Sequence, residues 1–430
     1  MSRVAWLFLD LNSFFASCEQ QDDPTLRGKP VAVVPSLTDT TSVIAASYAA
    51  KAFGIRTGTR VREAKQMCPG LILRTGNHKR YVQHHNAVKR AIEDVLPIEM
   101  VCSVDEFACR LMGDECEVRE AIALAECVKQ SIRQKAGEAL TCSIGLAPNR
   151  FLGKVAADMQ KPDGLTVISL DDIPGKLLRL KLQDFPGIGP RMAQRLINQG
   201  VTTVEQLYAA DIPTMRALWG GIEGEKFYQK LRGEDPFYRA TETGSFSHQH
   251  VLEPKFRSMD GVSAYAQHLL LKLAERLRDQ QYLSRRLSLV IRYAGTFQRA
   301  HAETSFHETA DSLTLLRALK DLLAQMPRGK PFKVAVTVSD LIPAARRQLD
   351  LFTDEQESEL STALDDINQK YGRGTLYFGA TQALQKHLHA RIAFQRVPDE
   401  QEFDARDTTE REFQKHLNRI SAIEDRRRGG

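Results

Sequence analysis

Val4-Ala5-Trp6-Leu7-Phe8-Leu9-Asp10-Leu11-Asn12-Ser13-Phe14-Phe15-Ala16-Ser17-Cys18-Glu19 changes period in its middle. Residues 4–9 are an unbroken apolar run, as expected of a buried strand, and the run ends on an acid, Asp10. From residue 11 to residue 20 the apolar positions Phe14, Phe15 and Cys18 recur at helical spacing, so a helix follows directly. A buried strand that stops at a carboxylate calls for a reason, and two further acids supply one.

Residues 99–104 and 107–112 read as two strands with Asp105 and Glu106 at the bend between them. Before them, residues 81–95 form a helix with Val82, Val88, Ile92 and Val95 on one face and Lys89 and Arg90 outside it. After them come a helix over 121–135, a strand over 140–147, and a helix over 150–159 capped by Asn149. The order strand–helix–strand–strand–helix–strand predicts an α+β, ferredoxin-like domain, with residues 11–76 inserted after its first strand. The insert holds short strands at 30–34 and 43–46 and a helix opened by Ser47 and ended near Gly54. Pro162-Asp163-Gly164 signals a turn, and residues 173–233 read as short helices broken by glycines. A linker near 234–244 leads to a second mixed module, with strands at 245–251, 285–293, 301–307 and 332–341 and helices at 261–280 and 313–325. Beyond it lie an acidic stretch, 350–367, and a charged helical stretch, 410–428.

A chain of 430 residues suggests about three domains at ~150 residues each. No run approaches the ~18–20 apolar residues of a membrane span, and the first apolar run is too short for a signal-peptide core, so a cytoplasmic protein is expected. The seven cysteines lie between Cys18 and Cys142 with no CxxC pair, which predicts reduced thiols and no structural zinc. Net charge is +5, but residues 244–347 carry 16 Lys+Arg against 9 Asp+Glu. A basic module on a near-neutral body points to a polyanionic partner.

Asp10, Asp105 and Glu106 can converge on one sheet edge, because the strands that carry them are expected to lie side by side. Three carboxylates of this kind suit Mg²⁺, and two such ions roughly 3.5–4 Å apart can activate an attacking oxygen and stabilise a departing pyrophosphate. Pro186-Gly187-Ile188-Gly189-Pro190-Arg191 reads as a helix-hairpin-helix. Gly187 and Gly189 let backbone N–H groups approach phosphates, and Arg191 opens a helix whose N-terminus favours an anion. Gly220-Gly221-Ile222-Glu223-Gly224 looks like a degenerate second copy, in which Glu223 repels phosphate. Arg285, Arg286, Arg292, Arg299, Lys330 and Lys333 lie on or beside strands and could follow a DNA backbone with salt-dependent affinity.

Asp10-Leu11-Asn12-Ser13-Phe14-Phe15-Ala16-Ser17-Cys18-Glu19, Ser103-Val104-Asp105-Glu106-Phe107 and Ser143-Ile144-Gly145-Leu146-Ala147-Pro148-Asn149-Arg150-Phe151-Leu152-Gly153-Lys154 together resemble motifs of the Y family of DNA polymerases, most like its bacterial DNA polymerase IV branch. The resemblance spans roughly residues 3–352. It implies a right-hand fold: palm over 1–10 and 77–168, fingers over 11–76, helical thumb over 169–235, linker over 236–244, α/β little finger over 245–343, clamp-binding peptide over 344–352, and an extension over 353–430. The implied activity is low-fidelity, template-directed translesion synthesis by a monomer that adds deoxynucleotides to a primer 3′-OH with two Mg²⁺ ions. Asp10, Asp105, Glu106 and the main-chain carbonyl of Leu11 would hold the metal, and Phe15 would be the steric gate against a ribose 2′-OH. Tyr48, Lys51 and Lys161 would bind the incoming triphosphate. Lys51 stands where the family usually has arginine, and a lysine lacks the bidentate fork.

Gln348-Leu349-Asp350-Leu351-Phe352 resembles the pentapeptide by which bacterial polymerases dock on the sliding clamp, with Gln348, Leu349, Leu351 and Phe352 as its anchors. Asp366-Ile367-Asn368-Gln369-Lys370-Tyr371-Gly372-Arg373-Gly374-Thr375-Leu376-Tyr377-Phe378-Gly379 is similar to the tail of the polymerase V catalytic subunit. Residues 353–430 otherwise read as a disordered or marginally helical extension, or as a docking segment for another repair protein. The alternatives are an inactive Y-family scaffold, a nucleotide cyclase on a similar palm, and a DNA-binding repair adaptor. Primer extension separates all of them from an active polymerase.

Overall fold

The computed structural model describes residues 3–236, 243–295, 299–346, 356–371 and 375–384, together with Val397. They fall into two compact units, one within Met1–Tyr238 together with Val397 and one within Arg239–His389. Among the described residues no helix is long and apolar enough to cross a membrane. All seven cysteines are free.

The first unit begins with β1 (Trp6–Leu11) and α1 (Phe14–Asp22). A small sheet follows, made of β2 (Val31–Val34), β3 (Ala45–Ala46) and, after α2 (Tyr48–Lys51) and α3 (Val61–Met67), β4 (Ile72–Thr75). β2 pairs antiparallel with β3 and parallel with β4. The chain then returns through α4 (His78–Glu93), β5 (Met100–Val101), β6 (Glu106–Arg110), α5 (Val118–Lys135), β7 (Cys142–Ala147), α6 (Arg150–Met159) and β8 (Leu165–Val167). The larger sheet has the order β5-β6-β1-β7-β8. Its first four strands have the ferredoxin-like order; β8, which follows the Pro162-Asp163-Gly164 turn and is not predicted from the sequence, extends the sheet parallel to β7.

β1 is apolar throughout because helices cover both faces of its sheet. Leu7, Leu9 and Leu11 pack with Val88 and Ile92 of α4 and Val128 and Ile132 of α5. Trp6 and Phe8 pack on the other side with Ala108 and with Ala157 of α6. α6 lies unusually close to the sheet. A Cβ at Gly145 would stand 2.0 Å from the Gly153 carbonyl oxygen and 2.5 Å from the Ala157 nitrogen. A pair of glycines therefore sets the height of α6, and with it the position of Lys154.

The end of α1 is tied by ion pairs both to α4 and to β4 of the small sheet. Arg80 holds the Asp22 carboxylate at 2.6 Å, His84 approaches the same group at 3.0 Å, and Arg74 meets Asp23 at 2.7 Å. Burial pushes the Asp22 carboxyl up, but His84 and Arg80 outweigh it and hold it below the usual range.

Four short helices follow: α7 (Pro190–Asn198), α8 (Val204–Ala209), α9 (Ile212–Trp219) and α10 (Ile222–Leu231). Gly224 has a packing role, since a Cβ there would sit 2.0 Å from the Met215 carbonyl oxygen. This close α9–α10 contact accounts for that glycine without a ligand, so the sequence reading of 220–224 as a phosphate-binding copy loses its footing.

The second unit contains β9 (Ser245–Val251), α11 (Met259–Asp279), β10 (Tyr282–Tyr293), β11 (Arg299–Thr309), α12 (Ser312–Ala324) and β12 (Pro331–Pro343). Its element order repeats that of the first domain, but its strand order is β11-β10-β12-β9. Here the first strand lies at the edge, whereas β1 is central. Leu287, Leu289 and Ile291 of β10 pack beneath α11 and α12. α13 (Gln356–Tyr371) then docks on the same unit. Arg278 grips Asp365 with two hydrogen bonds, at 2.6 and 2.9 Å, and the buried Ser361 hydroxyl donates to Asp311 at 2.8 Å. Leu384 is fully buried in that core. The expectation of a disordered or marginal extension is thus corrected for these residues: α13 and Leu384 add to the layer over the helices.

Candidate active site

β1 is the middle strand, and its register builds the site. Asp10 lies opposite Glu106 on β6 and opposite Ser143 on β7, and the Leu11 amide donates to the Asp105 carbonyl at 2.8 Å. Asp105 occupies the tight turn before β6, and Glu106 is the first residue of that strand. The three acids therefore meet at one end of the sheet, beside the Leu11 main chain. Lys154, from α6, contacts Glu106 and lies 3.6 Å from Asp10. Lys161 reaches Asp10 at 2.8 Å and Asp158 at 2.7 Å.

Asp10 is only 7% exposed. Burial pushes its carboxyl up to about 6 even with Lys161 and Lys154 beside it. Burial also raises Asp105; Glu106 adds to the rise and the Ser103 hydroxyl opposes it. Burial works against the charge on Lys161, but Asp10 and Asp158 outweigh it and hold the ammonium well above the usual lysine range.

Carboxylate and carbonyl oxygens are the donors that a hard divalent cation prefers. Buried carboxylates held above their ordinary range lack positive charge that such an ion would supply. The residues fit a divalent metal in their chemistry. As the side chains stand, among the described residues no three acid, His or Cys groups close on a common point. The Asp105 carboxylate accepts a hydrogen bond from Ser103 Oγ, so joining an ion requires it to turn from that hydroxyl.

The residues expected to hold a triphosphate gather on the other side of Asp10. Ser47 caps α2 by accepting from the Ala50 N–H, which fixes Tyr48 at its first turn. The Tyr48 hydroxyl lies 3.4 Å from the Asn12 side-chain amide, and Lys51 Nζ is 4.3 Å from the centroid of the Tyr48 ring. Burial lowers Lys51, and Lys161 lowers it further. A lysine whose charge is opposed by a neighbouring cation suits a polyanion bound beside it.

Phe15 is half-buried and stacks on Tyr81, with centroids 4.4 Å apart and planes 17° from parallel. The Tyr81 hydroxyl donates to Glu19 at 2.7 Å. Burial pushes Glu19 up to about 7 from its ordinary 4.5. Its folded-state value is raised, so charging it opposes folding: the contribution of Glu19 to stability is fully present below about pH 4.5 and is lost as pH rises through about 7. That displacement corresponds to about 3 kcal/mol. Glu19→Gln removes the titration, so its stability relative to the parent should rise by about that amount between pH 4.5 and pH 8, read from urea midpoints. Parallel pH profiles for the two proteins would refute it.

On the helical side, Gly187, Gly189 and Arg191 are all exposed, while Ile188 anchors the loop in the core. Gly187 has φ +90°, and a Cβ at either glycine would meet nothing within 4 Å. Gly189 has no need of its missing side chain from within the protein, which leaves its outer surface open to a closely approaching ligand.

In the second unit Arg299, Arg292 and Lys333 stand directly opposite one another on β11, β10 and β12. Like charges in register across a sheet are destabilising unless an anion lies over them. Burial lowers Lys333, and Arg292 lowers it further. Arg285 and Arg286 are both exposed because of an irregularity between Ser284 and Arg286. These two have partners: Arg285 meets Glu308 at 3.2 Å and Arg286 meets Glu303 at 3.7 Å. The row of exposed Arg299 and Arg292 with half-buried Lys333 is thus a better phosphate track than the arginine pair. Arg292→Ala with Lys333→Ala should weaken DNA binding about equally for all sequences and reduce the slope of log affinity against log salt by about 2. Titrations at several salt concentrations check this, and an unchanged slope counts against the track. Gln348, Leu349, Leu351 and Phe352 lie outside the described residues, as does most of the expected linker.

Sequence reasoning gave no role to Lys154, Glu19 or Tyr81. Lys154 closes a motif already quoted, and Glu19 lies one turn beyond Phe15, so helical spacing could have pointed to it.

Residues 9–158 match the impB/mucB/samB family, residues 243–351 match its C-terminal domain, and residues 183–235 match the thumb domain of DNA polymerase-iota. A DNA polymerase IV of Moorella thermoacetica is 33% identical over 86% of this chain and 94% of its own length. The chain belongs to this family, the Y-family DNA polymerases. Another relative, DNA polymerase IV 2 of Mesorhizobium japonicum, is 31% identical over 92% of this chain and 96% of its own. That alignment is too long to stop at residue 352, so this Y-family polymerase shares part of its extension with it. Among solved structures, a Y-family chimera of Dbh and Dpo4 covers 79% of this chain and 99% of its own with a TM-score of 0.64 at 22% identity. The structure titled "Insertion ternary complex of Dbh DNA polymerase" has the same coverage with a TM-score of 0.52 at 23% identity. The fold is the right-hand Y-family fold, with a helical thumb.

Proposed function

We propose that this Y-family polymerase extends a primer opposite damaged template bases, using Asp10, Asp105 and Glu106 as its metal ligands together with the Leu11 carbonyl. The observation that carries the reading is the register of Asp10 opposite Glu106, with the Asp105 carbonyl bonded to the Leu11 amide. Two Mg²⁺ ions bound there would activate the primer 3′-hydroxyl and neutralise the triphosphate and its departing pyrophosphate. Lys161, Lys51 and Tyr48 would bind the triphosphate and orient it for in-line attack at the α-phosphate. Phe15 would bar a ribose 2′-hydroxyl. Catalysis is then mostly positioning and electrostatics.

We assign the palm to 1–10 and 77–168, the fingers to 11–76, the thumb to 169–235 and the little finger to 245–343. Gly187, Gly189 and Arg191 would meet the DNA backbone from the thumb; Arg292, Lys333 and, more weakly, Arg285 and Arg286 would do so from the little finger. Gln348, Leu349, Leu351 and Phe352 would dock on the sliding clamp. Primer extension over an abasic or bulky-adduct template, with and without the clamp, tests the reading. Synthesis past the lesion is expected. A full stop one nucleotide before it would leave a polymerase without lesion bypass.

A further inference from the structure

We propose that Tyr81 is a positioning residue for sugar selection: it holds the Phe15 ring in place and is itself anchored by Glu19. The inference rests on Phe15 being the steric gate.

Excluding one hydroxyl requires a wall fixed to within about half an ångström, and a phenylalanine in the first turn of a helix does not supply that alone. Phe15 is the second residue of α1 and is only half-buried. One face of its ring lies flat on Tyr81, 4.4 Å between centroids, and the edge of His78 stands 5.9 Å away. Tyr81 is fully buried on α4. Its hydroxyl donates to Glu19 Oε1 at 2.7 Å. Glu19 stands four residues after Phe15, so both point from the same face of α1. Tyr81 is held against that face at two places, by ring stacking and by its hydroxyl. It cannot tilt without losing the hydrogen bond, and Phe15 cannot retreat without displacing Tyr81. The half-buried Glu19 has no other role in the reaction derived above.

The test measures kcat/KM for a deoxynucleotide and for the matching ribonucleotide, and takes their ratio, in Phe15→Ala, Tyr81→Leu, Tyr81→Phe and the double variant Phe15→Ala/Tyr81→Leu of the full chain. Phe15→Ala should lower the ratio at least about tenfold. Tyr81→Leu, which removes the stacking face, should lower it about threefold to tenfold, and Tyr81→Phe, which keeps the ring and frees it from Glu19, about threefold. In the double variant Tyr81→Leu should add nothing to Phe15→Ala. A merely structural role would reduce both kcat/KM values together and leave their ratio unchanged. If Tyr81→Leu fails to fold, Tyr81→Phe decides. The proposal falls if Phe15→Ala lowers the ratio and neither Tyr81 variant does. An unchanged ratio in Phe15→Ala itself overturns the gate assignment and the proposal with it.

Discussion

Replacing Asp105 and Glu106 together by Ala is expected to slow primer extension at least about 10³-fold while leaving primer–template affinity within roughly twofold. The fold should survive, because what these residues give the sheet is backbone. The Asp105 carbonyl that receives the Leu11 amide remains, as does the pairing of residue 106 with Asp10. The charge balance changes sharply. Lys154 loses its Glu106 partner, and Asp10 is left as the sole acid of the three, between Lys154 and Lys161. With Asp158 beside Lys161 and Lys154, the cluster then holds two carboxylates against two ammonium groups and no longer carries the excess negative charge that a divalent ion needs. The same change makes the sheet edge more positive, so DNA binding should not weaken. Single-turnover extension and fluorescence anisotropy on the same primer–template separate the two effects. Loss of DNA affinity in parallel with activity would mean that the acids serve the fold or the DNA contact, and that chemistry lies elsewhere.

Gly145→Ala should destabilise the first unit by at least about 3 kcal/mol. The added methyl would meet the Gly153 carbonyl oxygen at 2.0 Å and the Ala157 nitrogen at 2.5 Å. Both are backbone atoms of α6, so no side-chain rotation relieves the contact, and the helix must rise from the sheet. Raising it also carries Lys154 away from Asp10 and Glu106. Gly189→Ala is the contrasting case, since a Cβ there meets nothing within 4 Å. It should leave thermal stability nearly unchanged. Thermal unfolding of the two variants distinguishes them, and equal melting temperatures would show that α6 can yield without loss.

The sequence made the order of elements legible because hydrophobic period and cap signals are local. Residues 4–9 announced a buried strand, Asn149 announced the start of α6, and β9 fell on residues 245–251 as read. Strand order was not legible. The same strand–helix sequence gives a central first strand in one unit and an edge first strand in the other. That choice depends on which helix face covers which sheet, a long-range matter with no local signal. β8 escaped notice because three residues carry too little periodicity to register. The docking of α13 was hidden for a similar reason: it rests on Arg278, Asp311 and Ser361, polar residues that read as solvated until they are brought together.

At the site, the three acids were legible because a carboxylate at the end of a buried strand breaks the pattern of its surroundings. Lys154 was not, since a lysine on an amphipathic helix ordinarily faces water. Its importance follows from the height of α6, which the two glycines set. Likewise the opposition of Arg299, Arg292 and Lys333 needs the register of three strands, and residue counting along any one strand cannot give it.

Crystals of the full chain with primer–template, a non-hydrolysable deoxynucleoside triphosphate and Mn²⁺ test the central claim most directly, through anomalous scattering from the ion. The account predicts a Mn²⁺ peak within ligating distance of oxygens from Asp10, Asp105 and Glu106 at once, with the triphosphate beside Lys161. Carboxylates still bonded to Lys154, Lys161 and Ser103, with Mn²⁺ bound elsewhere or not at all, would contradict it.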